Sequence, residues 1–437
     1  MTTTTVTTTA DPSRNVFIIG LDDYNRAMLR TIRDADSLSF HGIVDPAKIY
    51  DTEEFDVPAL LDEARAAMRA FDGPVDALAG YMDFPVSTML PVLCREFGLP
   101  TVSLEALLKC EHKYWSRLIQ KRVIADHIPP FAAFDPFTTE TVADIPLALP
   151  FWVKPIKSSG SRLGFRVNRP EDFEAAIATL RDQIGLISEP FDHLLERADL
   201  PPEVRSVGGH YCLAEGIIGG RQCTQEGYVF NGATTVYGTV DSIRYPNGIS
   251  FFRYQYPSKL PARVRRRMTS LSKKVMKAVG YDGAAFNIEY FWDEQADRIW
   301  LLEINTRVSQ SHSDLFEKVD GATNQQASVH LALGEDPRLP VREGEWPLAA
   351  KFFLRHFEDG IVTRVPTPEE IARIEKKIPG TVILPQVAQG TRLSELPEQD
   401  SYSYALAHIF MGAKNQSTLL RHYERVVKAL PFVVDPV

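Results

Sequence analysis

Two neighbouring strand-like segments, 286–292 and 298–305, constrain the fold of this chain more than any other part of its sequence. "FNIEYFW" and "RIWLLEIN" are rich in aromatic and β-branched residues, and a polar turn centred near Ala296 separates them. Such a pattern predicts an antiparallel hairpin that is packed on one side. The apolar side is predicted to consist of Phe286, Ile288, Tyr290, Leu302 and Ile304.

Polar residues recur at every second position of the second strand and continue beyond it. Glu303, Asn305 and Arg307 follow this spacing, which places all three side chains on one face. Pairing across the turn puts Glu289 opposite Glu303, and Asn287 opposite Asn305. We therefore expect two carboxylates and two amides on the same face of the hairpin.

Directly opposed carboxylates repel one another, so this face of the hairpin requires a cation. The oxygens of Glu289, Glu303 and Asn305 suit a hard cation, above all Mg²⁺, that bridges to phosphate oxygens. Arg307 adds a fixed positive charge that suits a carboxylate or a phosphoryl group in transfer. The alternative is a solvated strand face that is acidic by chance, but the well-packed apolar side favours the metal site.

The first hundred residues alternate between short apolar runs and helical patterns. "NVFIIG" (15–20), "FHGIVD" (40–45) and "VDALAGY" (75–81) are typical of strands, and helices rich in Ala, Leu and Arg separate them. This alternation predicts an α/β domain, a Rossmann-like βαβ unit with a parallel sheet, over residues 14–110. It lacks the GxGxxG of a dinucleotide-binding domain. Residues 1–13 are expected to form a disordered tail.

The pattern of the remaining chain is typical of α+β structure. A helical segment at 111–130 ends in a double proline, and strand-like runs follow it with short breaks suited to antiparallel pairing. Two long helical stretches interrupt these strands, near 171–184 and 262–279. We expect a central region over residues 111–340 and a C-terminal part, 341–437, that completes the same body.

The composition argues against several classes of protein. The chain has 437 residues, of which 44% are hydrophobic and 24% charged, as in a soluble globular protein. Its formal net charge of −9 argues against nucleic acid as a partner. No apolar stretch approaches the roughly 18 residues of a membrane span, so no membrane association is expected.

The four cysteines include no CxxC pair and are too few for a disulfide framework in a chain of this length. A reducing cytoplasm is therefore the expected location. A homodimer is the default expectation for the oligomeric state.

A lysine-bearing strand and a polar loop follow one another in "VKPIKSSGSRLGFRV" (153–167). Lys154 lies at the end of the strand. Small and hydroxyl-bearing loop residues let backbone N–H groups wrap around phosphates. The candidate phosphate-binding residues of this loop are Ser158, Ser159, Gly160 and Ser161. The GK[ST] ending of a P-loop is missing, and the loop alone is also compatible with an ordinary polar hairpin.

Two further residues gain meaning from their order along the chain. Lys113 lies on the helix before the double proline, and Glu215 lies where a strand gives way to a Gly-rich connection. Alone, each is more often a surface or structural residue. With the motifs described above, they form a series along the chain. It runs from a lysine to a second lysine with a Ser/Gly loop, then to a hinge glutamate, and then to a glutamate followed by E-x-N-x-R.

This order resembles the ATP-grasp superfamily over nearly the whole chain. "VKPIKSSGSRLGF" is similar to the second-lysine strand and flap of that family, "LAEGIIGG" to its adenine-contacting hinge, and "FNIEYF…LLEINTR" to its magnesium strands. The resemblance implies an ATP-grasp fold with an N-terminal pre-ATP-grasp domain and a flap subdomain at about 151–230. It also implies a ligase that uses ATP and two Mg²⁺ ions.

The resemblance further implies a role for each residue that matches a nucleotide-binding motif. Lys113 and Lys154 would neutralise the phosphates of ATP, and loop residues 158–161 would cover them. Glu215 would lie beside the adenine or the ribose.

The same resemblance assigns the polar face of the hairpin. Glu289, Glu303 and Asn305 would hold the two Mg²⁺ ions, and Arg307 would be the catalytic residue that steadies the acyl phosphate and its tetrahedral successor. The pairing predicted from the hairpin pattern supports the same metal ligands independently.

The first function that the resemblance implies is a carboxylate–amine ligase acting on small molecules. Such an enzyme activates a carboxylate with the γ-phosphate of ATP and passes the acyl group to an amine, with release of ADP and phosphate. The flap resembles that of amino-acid and dipeptide ligases, so we expect an amino acid to be joined to a second amino acid or amine. The candidate substrate-binding residues are Arg244, Ser309 and His312.

Two alternatives stay open. "EINTRVSQSH" is close to the biotin-carboxylase branch, which activates bicarbonate, although the flap lacks the four-glycine run of that branch. The other alternative is a nucleotide-binding regulatory module without turnover. The presence of both Glu303 and Arg307 argues against that module.

Overall fold

The computed structural model describes residues 13–50, 55–158, 163–396 and 402–437, so residues 1–12 of the expected tail lie outside it. The N-terminal strands are β1 (Arg14–Ile19), β2 (Leu38–Ile43) and β3 (Ala77–Ala79). They form a parallel sheet in the order β2-β1-β3, which confirms the predicted βαβ fold. The accompanying helices are α1 (Asp23–Leu29), α2 (Ala47–Tyr50), α3 (Val57–Ala70) and α4 (Val86–Phe97).

Local sequence explains where these helices begin and end. The carboxylates of Asp22 and Asp56 accept backbone N–H groups from the first turns of α1 and α3, which stabilises both N-termini. Helix α4 ends at Gly98, whose φ of 68° favours glycine. The last four residues of β1 are buried, as expected for a strand between two others.

Two consecutive helices connect this part to a second, four-stranded sheet. The helices are α5 (Leu104–Glu111) and α6 (Lys113–Ile124). The strands are β4 (Phe131–Phe134), β5 (Phe151–Pro155), β6 (Phe165–Val167) and β7 (Cys212–Gly216). They pair antiparallel in the order β4-β7-β5-β6. Between β6 and β7 lie α7 (Pro170–Gln183), α8 (Gly185–Leu195) and α9 (Pro202–Arg205).

Helix α8 shows that the prediction of only two long helices in this region was wrong. Its sequence contains Gly185 and Pro190, which lower helix propensity and obscure the pattern. The helix forms because its apolar side is buried, with Phe191 and Leu194 both fully inaccessible. Tertiary packing thus outweighs local propensity here.

An eight-stranded antiparallel sheet forms the rest of the body. In chain order the remaining strands are β8 (Arg221–Phe230), β9 (Ala233–Arg244), β10 (Phe251–Tyr256), β11 (Ala284–Asp293), β12 (Arg298–Asn305), β13 (Leu348–His356), β14 (Gly360–Arg364), β15 (Thr381–Pro385), β16 (Tyr404–Ala413) and β17 (Val433–Pro436). The sheet order is β12-β11-β8-β9-β10-β13-β16-β15, and β14 pairs with β17 separately. The remaining helices are α10 (Ala262–Val279), α11 (Gln310–Asp320), α12 (Gln325–Ala332), α13 (Pro368–Lys377) and α14 (Gln416–Ala429).

The β11–β12 hairpin pairs as predicted at one end and is irregular further along. Glu289 lies opposite Glu303, and the two asparagines are likewise opposed, which confirms the predicted pairing. The register then shifts by one residue, so that Tyr290 lies opposite Leu301. A β-bulge at Leu302 accounts for the shift. Leu301 therefore takes the buried position that was predicted for Leu302, which is only half-buried.

The hairpin packs against helix α10 through its apolar side, so its polar face lies toward the four-stranded sheet. Val264, Met268 and Val275 of α10 are fully buried in the core cluster that includes the apolar side of β11 and β12. The opposite face carries Glu303, which contacts Lys113 at the start of α6. A cleft between the eight-stranded and four-stranded sheets thus holds the polar residues of the hairpin.

The cysteines relate to the prediction that the chain has no disulfide framework, and the helices relate to the prediction that it has no membrane span. All four cysteines are buried free thiols, as expected for a chain without a disulfide framework. In the parts of the chain that the structure describes, we find no helix with the length and apolar character needed to span a membrane.

Candidate active site

The polar face of β11 and β12 carries the predicted metal ligands side by side. The amide nitrogen of Asn305 donates to Oδ1 of Asn287 at 2.8 Å and to Oε1 of Glu289 at 3.3 Å. Glu289 also accepts a 2.9 Å hydrogen bond from Nε2 of Gln222 on β8. Because both bonds of Asn305 use its nitrogen, its Oδ1 is left for another partner.

The two opposed carboxylates lie in different electrostatic surroundings. Burial, and then the charge of Glu303, raises the pKa of Glu289. Burial also opposes ionisation of Glu303, but the ammonium groups of Lys113 and Lys154 outweigh it and lower the pKa of that carboxyl. Nζ of Lys113 lies 2.7 Å from Oε1 of Glu303. The protein thus supplies a cation to one of the two carboxylates.

These residues fit a hard divalent cation. Two carboxylates and an amide oxygen on one sheet face match the oxygen ligands that Mg²⁺ prefers. The raised pKa of Glu289 indicates that its negative charge is poorly balanced by its neighbours. Among the described residues, no three His, Cys, Asp or Glu side chains could hold a metal ion by themselves. Oxygens from phosphate or water would therefore have to complete the coordination.

Lys154 and Glu215 meet at a small pocket between the two sheets. Nζ of Lys154 lies 2.6 Å from Oε2 of Glu215, and Nε of Arg117 lies 2.5 Å from Oε1. Burial alone would raise the pKa of Glu215, but Arg117 and Lys154 lower it to about 2. The pocket has a volume of about 10 Å³, and its lining also includes Lys113 and Glu303. Four residues predicted from the sequence thus share one pocket.

Lys113 also contacts the start of the predicted phosphate loop. Its Nζ donates to the backbone oxygen of Ser158 at 2.6 Å. Its backbone N–H donates to the backbone oxygen of Ile156, just after β5, at 3.1 Å. The first residue of α6 is therefore tied to the end of the lysine strand, and Ser158 lies beside the pocket. The predicted phosphate-binding residues 159–161 lie outside the described residues.

Arg307 is held by an acid from the N-terminal part of the chain. Its Nη2 lies 3.0 Å from Oδ2 of Asp83, in the loop after β3. Nζ of Lys157 lies 3.5 Å from the other carboxylate oxygen of Asp83. Burial alone would raise the pKa of Asp83, but Lys157 and Arg307 hold it well below its usual range. Asp83 thus positions the guanidinium group at the edge of the cleft.

A second acid anchors the same segment. Lys157 is also ion-paired with Glu111, the last residue of α5. The other oxygen of Glu111 accepts a 2.5 Å hydrogen bond from the hydroxyl of Thr306, which directly precedes Arg307. The segment that carries E-x-N-x-R is therefore fixed by acids from two different elements.

The candidate substrate-binding residues lie at two places beside the cleft. Nδ1 of His312 lies 2.8 Å from Oε1 of Glu226, and the backbone N–H of Ser309 donates to the same oxygen at 3.3 Å. Arg244, at the end of β9, donates to Oε1 of Gln222 at 2.6 and 3.1 Å. Because the same glutamine bonds to the polar face of the hairpin, Arg244 borders the candidate metal site.

Several charged residues that contact the candidate site residues were not predicted from the sequence. They are Asp83, Glu111, Arg117 and Lys157. Lys157 had a usable signal, because it lies three residues after Lys154 in the predicted lysine strand and loop. The other three look ordinary in their own segments. Asp83, for example, is 224 positions away from its partner Arg307, so no local pattern connects the two.

The chain is similar to known proteins in sequence over part of its length and in fold over nearly all of it. The family model described as "Carbamoyl-phosphate synthase L chain, ATP binding domain" matches residues 255–339, which include the β11–β12 hairpin. The crystal structure of L-amino acid ligase from Bacillus licheniformis has a TM-score of 0.68 with this chain at 15% sequence identity. That likeness covers 97% of this chain and 99% of the other. The chain has the ATP-grasp fold.

Two biotin carboxylases are also similar to this ATP-grasp chain. Biotin carboxylase 1 of Bacillus subtilis (strain 168) is 28% identical over 115 residues, which are 26% of this chain and 24% of that protein. The alignment thus spans only about a quarter of that curated relative. The biotin carboxylase–β,γ-ATP complex from Campylobacter jejuni has a TM-score of 0.63 at 15% identity and covers 96% of this chain and 92% of its own. The predicted ATP-grasp fold with its N-terminal βαβ unit is confirmed.

Proposed function

We propose that this protein is an ATP-dependent ligase that activates a carboxylate as an acyl phosphate and couples it to an amine. ADP and phosphate would be the other products. The observation that supports this most is the convergence of two lysines, two opposed carboxylates and Arg307 on one cleft. Phosphoryl transfer depends chiefly on positioning and charge neutralisation, which such a cleft can supply.

In this proposal, Lys113 and Lys154 bind the phosphates of ATP. Both ammonium groups are paired with carboxylates, Lys113 with Glu303 and Lys154 with Glu215. Phosphate oxygens would join or replace these partners, because charge-assisted hydrogen bonds to phosphate are strong. Loop residues 158–161 would cover the phosphates, and Glu215 would lie beside the nucleoside.

The polar face of the hairpin would hold magnesium through Glu289, Glu303 and Asn305, and we propose two ions. Bound Mg²⁺ would neutralise phosphate charge and polarise the transferring phosphoryl group. Gln222 and Asn287 would orient the ligands, because each is hydrogen-bonded to one of them.

Arg307 would stabilise the negative charge that forms on the acyl group. The carboxylate of the first substrate attacks the γ-phosphorus, and ADP leaves. The neutral amine of the second substrate then attacks the acyl carbon and forms the C–N bond. Phosphate leaves with one oxygen of the original carboxylate and takes up the proton that the amine nitrogen loses. Asp83 would hold Arg307 in place during both steps. Exclusion of water would protect the acyl phosphate from hydrolysis.

We further propose that the substrates are an amino acid and a second amino acid or amine. The likeness to L-amino acid ligase over 97% of this chain supports this choice. Arg244, Ser309 and His312 would contact the substrates, since they border the cleft. The homodimer and the cytoplasmic location remain predictions.

A biotin-carboxylase-like reaction that activates bicarbonate is the second candidate function. The 28% identity to Biotin carboxylase 1 of Bacillus subtilis over 115 residues favours it. Release of ADP that depends on bicarbonate and rises with free biotin would support this reaction over the ligase.

A screen of ADP release tests the proposed function. The protein would be incubated with ATP, Mg²⁺ and amino acids, alone and in pairs, and products would be identified by mass spectrometry. We expect ADP release that depends on a pair of substrates and matches a condensed product lighter than the sum of its parts by one water. Release of ADP that no amine affects would exclude an amine ligase.

A further inference from the structure

Lys351 is a buried lysine on β13 that the proposed chemistry does not use. The residue is only 5% exposed, and its Nζ donates to the hydroxyl of Ser311 at 2.9 Å. The rings of Phe353 and Phe410 lie below the ammonium group, with centroids 4.8 and 5.4 Å away. The ammonium group is thus surrounded by a hydroxyl and two aromatic faces.

Within the described residues, Lys351 forms no ion pair with a carboxylate. Lys318 is similarly buried, at 8% exposure, but its Nζ lies 2.7 Å from Oδ2 of Asp314 and so has a counter-ion. A buried charge without a counter-ion is costly. The pKa of Lys351 accordingly falls to about 7, first through burial and then through the charge of Arg355.

Two basic side chains, Arg355 and His408, lie near Lys351. Arg355 lies two positions beyond Phe353 on the same strand face, and its guanidinium contacts that ring at 5.3 Å. His408 of β16 packs edge-on against Phe353 at 5.1 Å. Burial, Lys351 and Arg355 together keep the pKa of His408 well below its usual value. Within the described residues, the charged group that acts on Lys351 is therefore a basic one.

The lysine contacts the segment that follows Arg307 in the chain. Ser311 lies four residues after Arg307 and in the first turn of α11, whose N-terminus also favours negative charge. The next residue, His312, packs edge-on against Tyr254 of β10 at 5.0 Å, and Tyr254 packs against Phe353 at 5.1 Å. Ser311, Tyr254 and Arg355 are half-buried, so the surroundings of Lys351 are partly open to solvent.

We propose that Lys351 binds a carboxylate of the amine substrate, so that the acceptor is an amino acid or a peptide and not a simple amine. This inference rests on the proposed function. In the proposed reaction the carboxylate of the acyl donor becomes an amide beside Arg307, whereas a carboxylate on the acceptor takes no part and keeps its charge. The group bound by Lys351 would therefore belong to the acceptor, which would supply a counter-ion that Lys351 does not have among the described residues.

Acceptor discrimination tests this assignment. Each amino acid that supports coupling would be compared with its α-amide, which keeps the amine but lacks the negative charge. We expect the wild-type protein to have a KM at least 10-fold lower for the acid, and Lys351→Met to lose most of that preference while the KM for ATP stays unchanged. Lys351→Arg should restore part of it. If Lys351→Met keeps the preference for the acid over the amide, the proposal is overturned. The same holds if that preference changes with the identity of the acyl donor.

Thermal stability separates a binding role from a structural one. Because Lys351→Met removes an uncompensated buried charge, we expect the Tm of the free protein to stay the same or rise. Lys318→Met is the matched control, since it breaks a buried pair and should lower the Tm without changing acceptor KM. A fall in Tm for Lys351→Met with unchanged acceptor discrimination would show that the lysine is structural.

A direct binding test keeps this inference separate from the proposed function. If no amine is coupled, the proposed function fails, but the anion site can still be measured with acetate. We expect sodium acetate to raise the Tm of the wild-type protein above its value in sodium chloride of equal ionic strength, and to have no such effect on Lys351→Met. Equal effects of the two salts on both proteins would contradict the anion site.

Discussion

Glu303 lies between a cation and a second acid. It is paired with Lys113 and faces Glu289 across the hairpin. If the pair of carboxylates holds magnesium, Glu303→Gln should lower Mg²⁺-dependent ADP release by about 100-fold or more, since a ligand charge and the partner of Lys113 are both lost. Initial rates measured across a range of Mg²⁺ concentrations check this.

The matched control for Glu303 lies in the turn of the same hairpin. Glu294 is exposed there, so Glu294→Gln should leave the rate and the Mg²⁺ dependence unchanged. Retention of full activity by Glu303→Gln would remove the metal assignment.

Glu215 should contribute to stability in a pH-dependent way. Its pKa is lowered to about 2 in the folded protein from an ordinary value of 4.5, so its stabilising effect is present above pH 4.5 and is lost as the pH falls toward 2. The full contribution is on the order of 3 kcal/mol. In urea unfolding, the wild type and Glu215→Gln should therefore differ most above pH 4.5 and converge on acidification.

Glu174, an exposed glutamate on α7, provides the comparison for that pH series. Glu174→Gln should parallel the wild type at every pH. A difference between the wild type and Glu215→Gln that stays constant down to pH 2 would show that Arg117 and Lys154 do not favour ionisation of Glu215.

At the scale of elements, Arg117 joins three parts of the site. From α6 it binds Glu215 on β7, and it donates to the backbone oxygens of Leu301 and Leu302 at 3.2 and 2.7 Å. Those two oxygens lie at the bulge in β12. The guanidinium group thus fixes the hinge glutamate relative to the hairpin that carries the metal-ligand candidates.

Arg117→Lys should weaken that connection, because a single ammonium group cannot make all of these hydrogen bonds. We expect the free energy of unfolding to fall by about 2 kcal/mol and the KM for ATP to rise roughly 10-fold. Arg122→Lys on the same helix is the control, since its ion pair is exposed and should change stability by less than about 0.5 kcal/mol. Equal behaviour of the two variants would contradict the bridging role.

At the scale of the whole molecule, Asp83 connects the N-terminal sheet to the cleft through Arg307 and Lys157. Asp83→Asn should lower the free energy of unfolding by about 2 kcal/mol. It should also lower the ratio of coupled product to ADP below one, because a less fixed Arg307 admits water to the acyl phosphate. Asp72→Asn, at an exposed position of the same domain, should change neither quantity. A ratio that stays at one in Asp83→Asn would exclude this role.

Much of the architecture could be predicted because the decisive patterns are local. Alternation at residues 286–305 identifies the hairpin, and spacing places Glu289 opposite Glu303. The secondary-structure predictions that were wrong concern features that depend on tertiary contacts. The bulge at Leu302 and the helix containing Pro190 both contradict local periodicity, and burial of neighbouring apolar residues determines them.

The residues that meet at the candidate site could be predicted only in part for the same reason. Residues within recognisable motifs, such as Lys154 and Asn305, could be found from one segment each. Asp83, Glu111 and Arg117 gain their roles through partners that lie far away in the chain, and a single sequence does not specify which distant charges meet. Long-range ion pairs are therefore the part that required the structure.

Isotope transfer shows whether the donor carboxylate is activated as an acyl phosphate. The acyl donor found in the screen would be labelled with ¹⁸O in its carboxylate and coupled to the acceptor with ATP and Mg²⁺. Activation as an acyl phosphate predicts one ¹⁸O atom in each phosphate released and one in the new amide. Unlabelled phosphate, or AMP in place of ADP, would exclude an acyl phosphate intermediate.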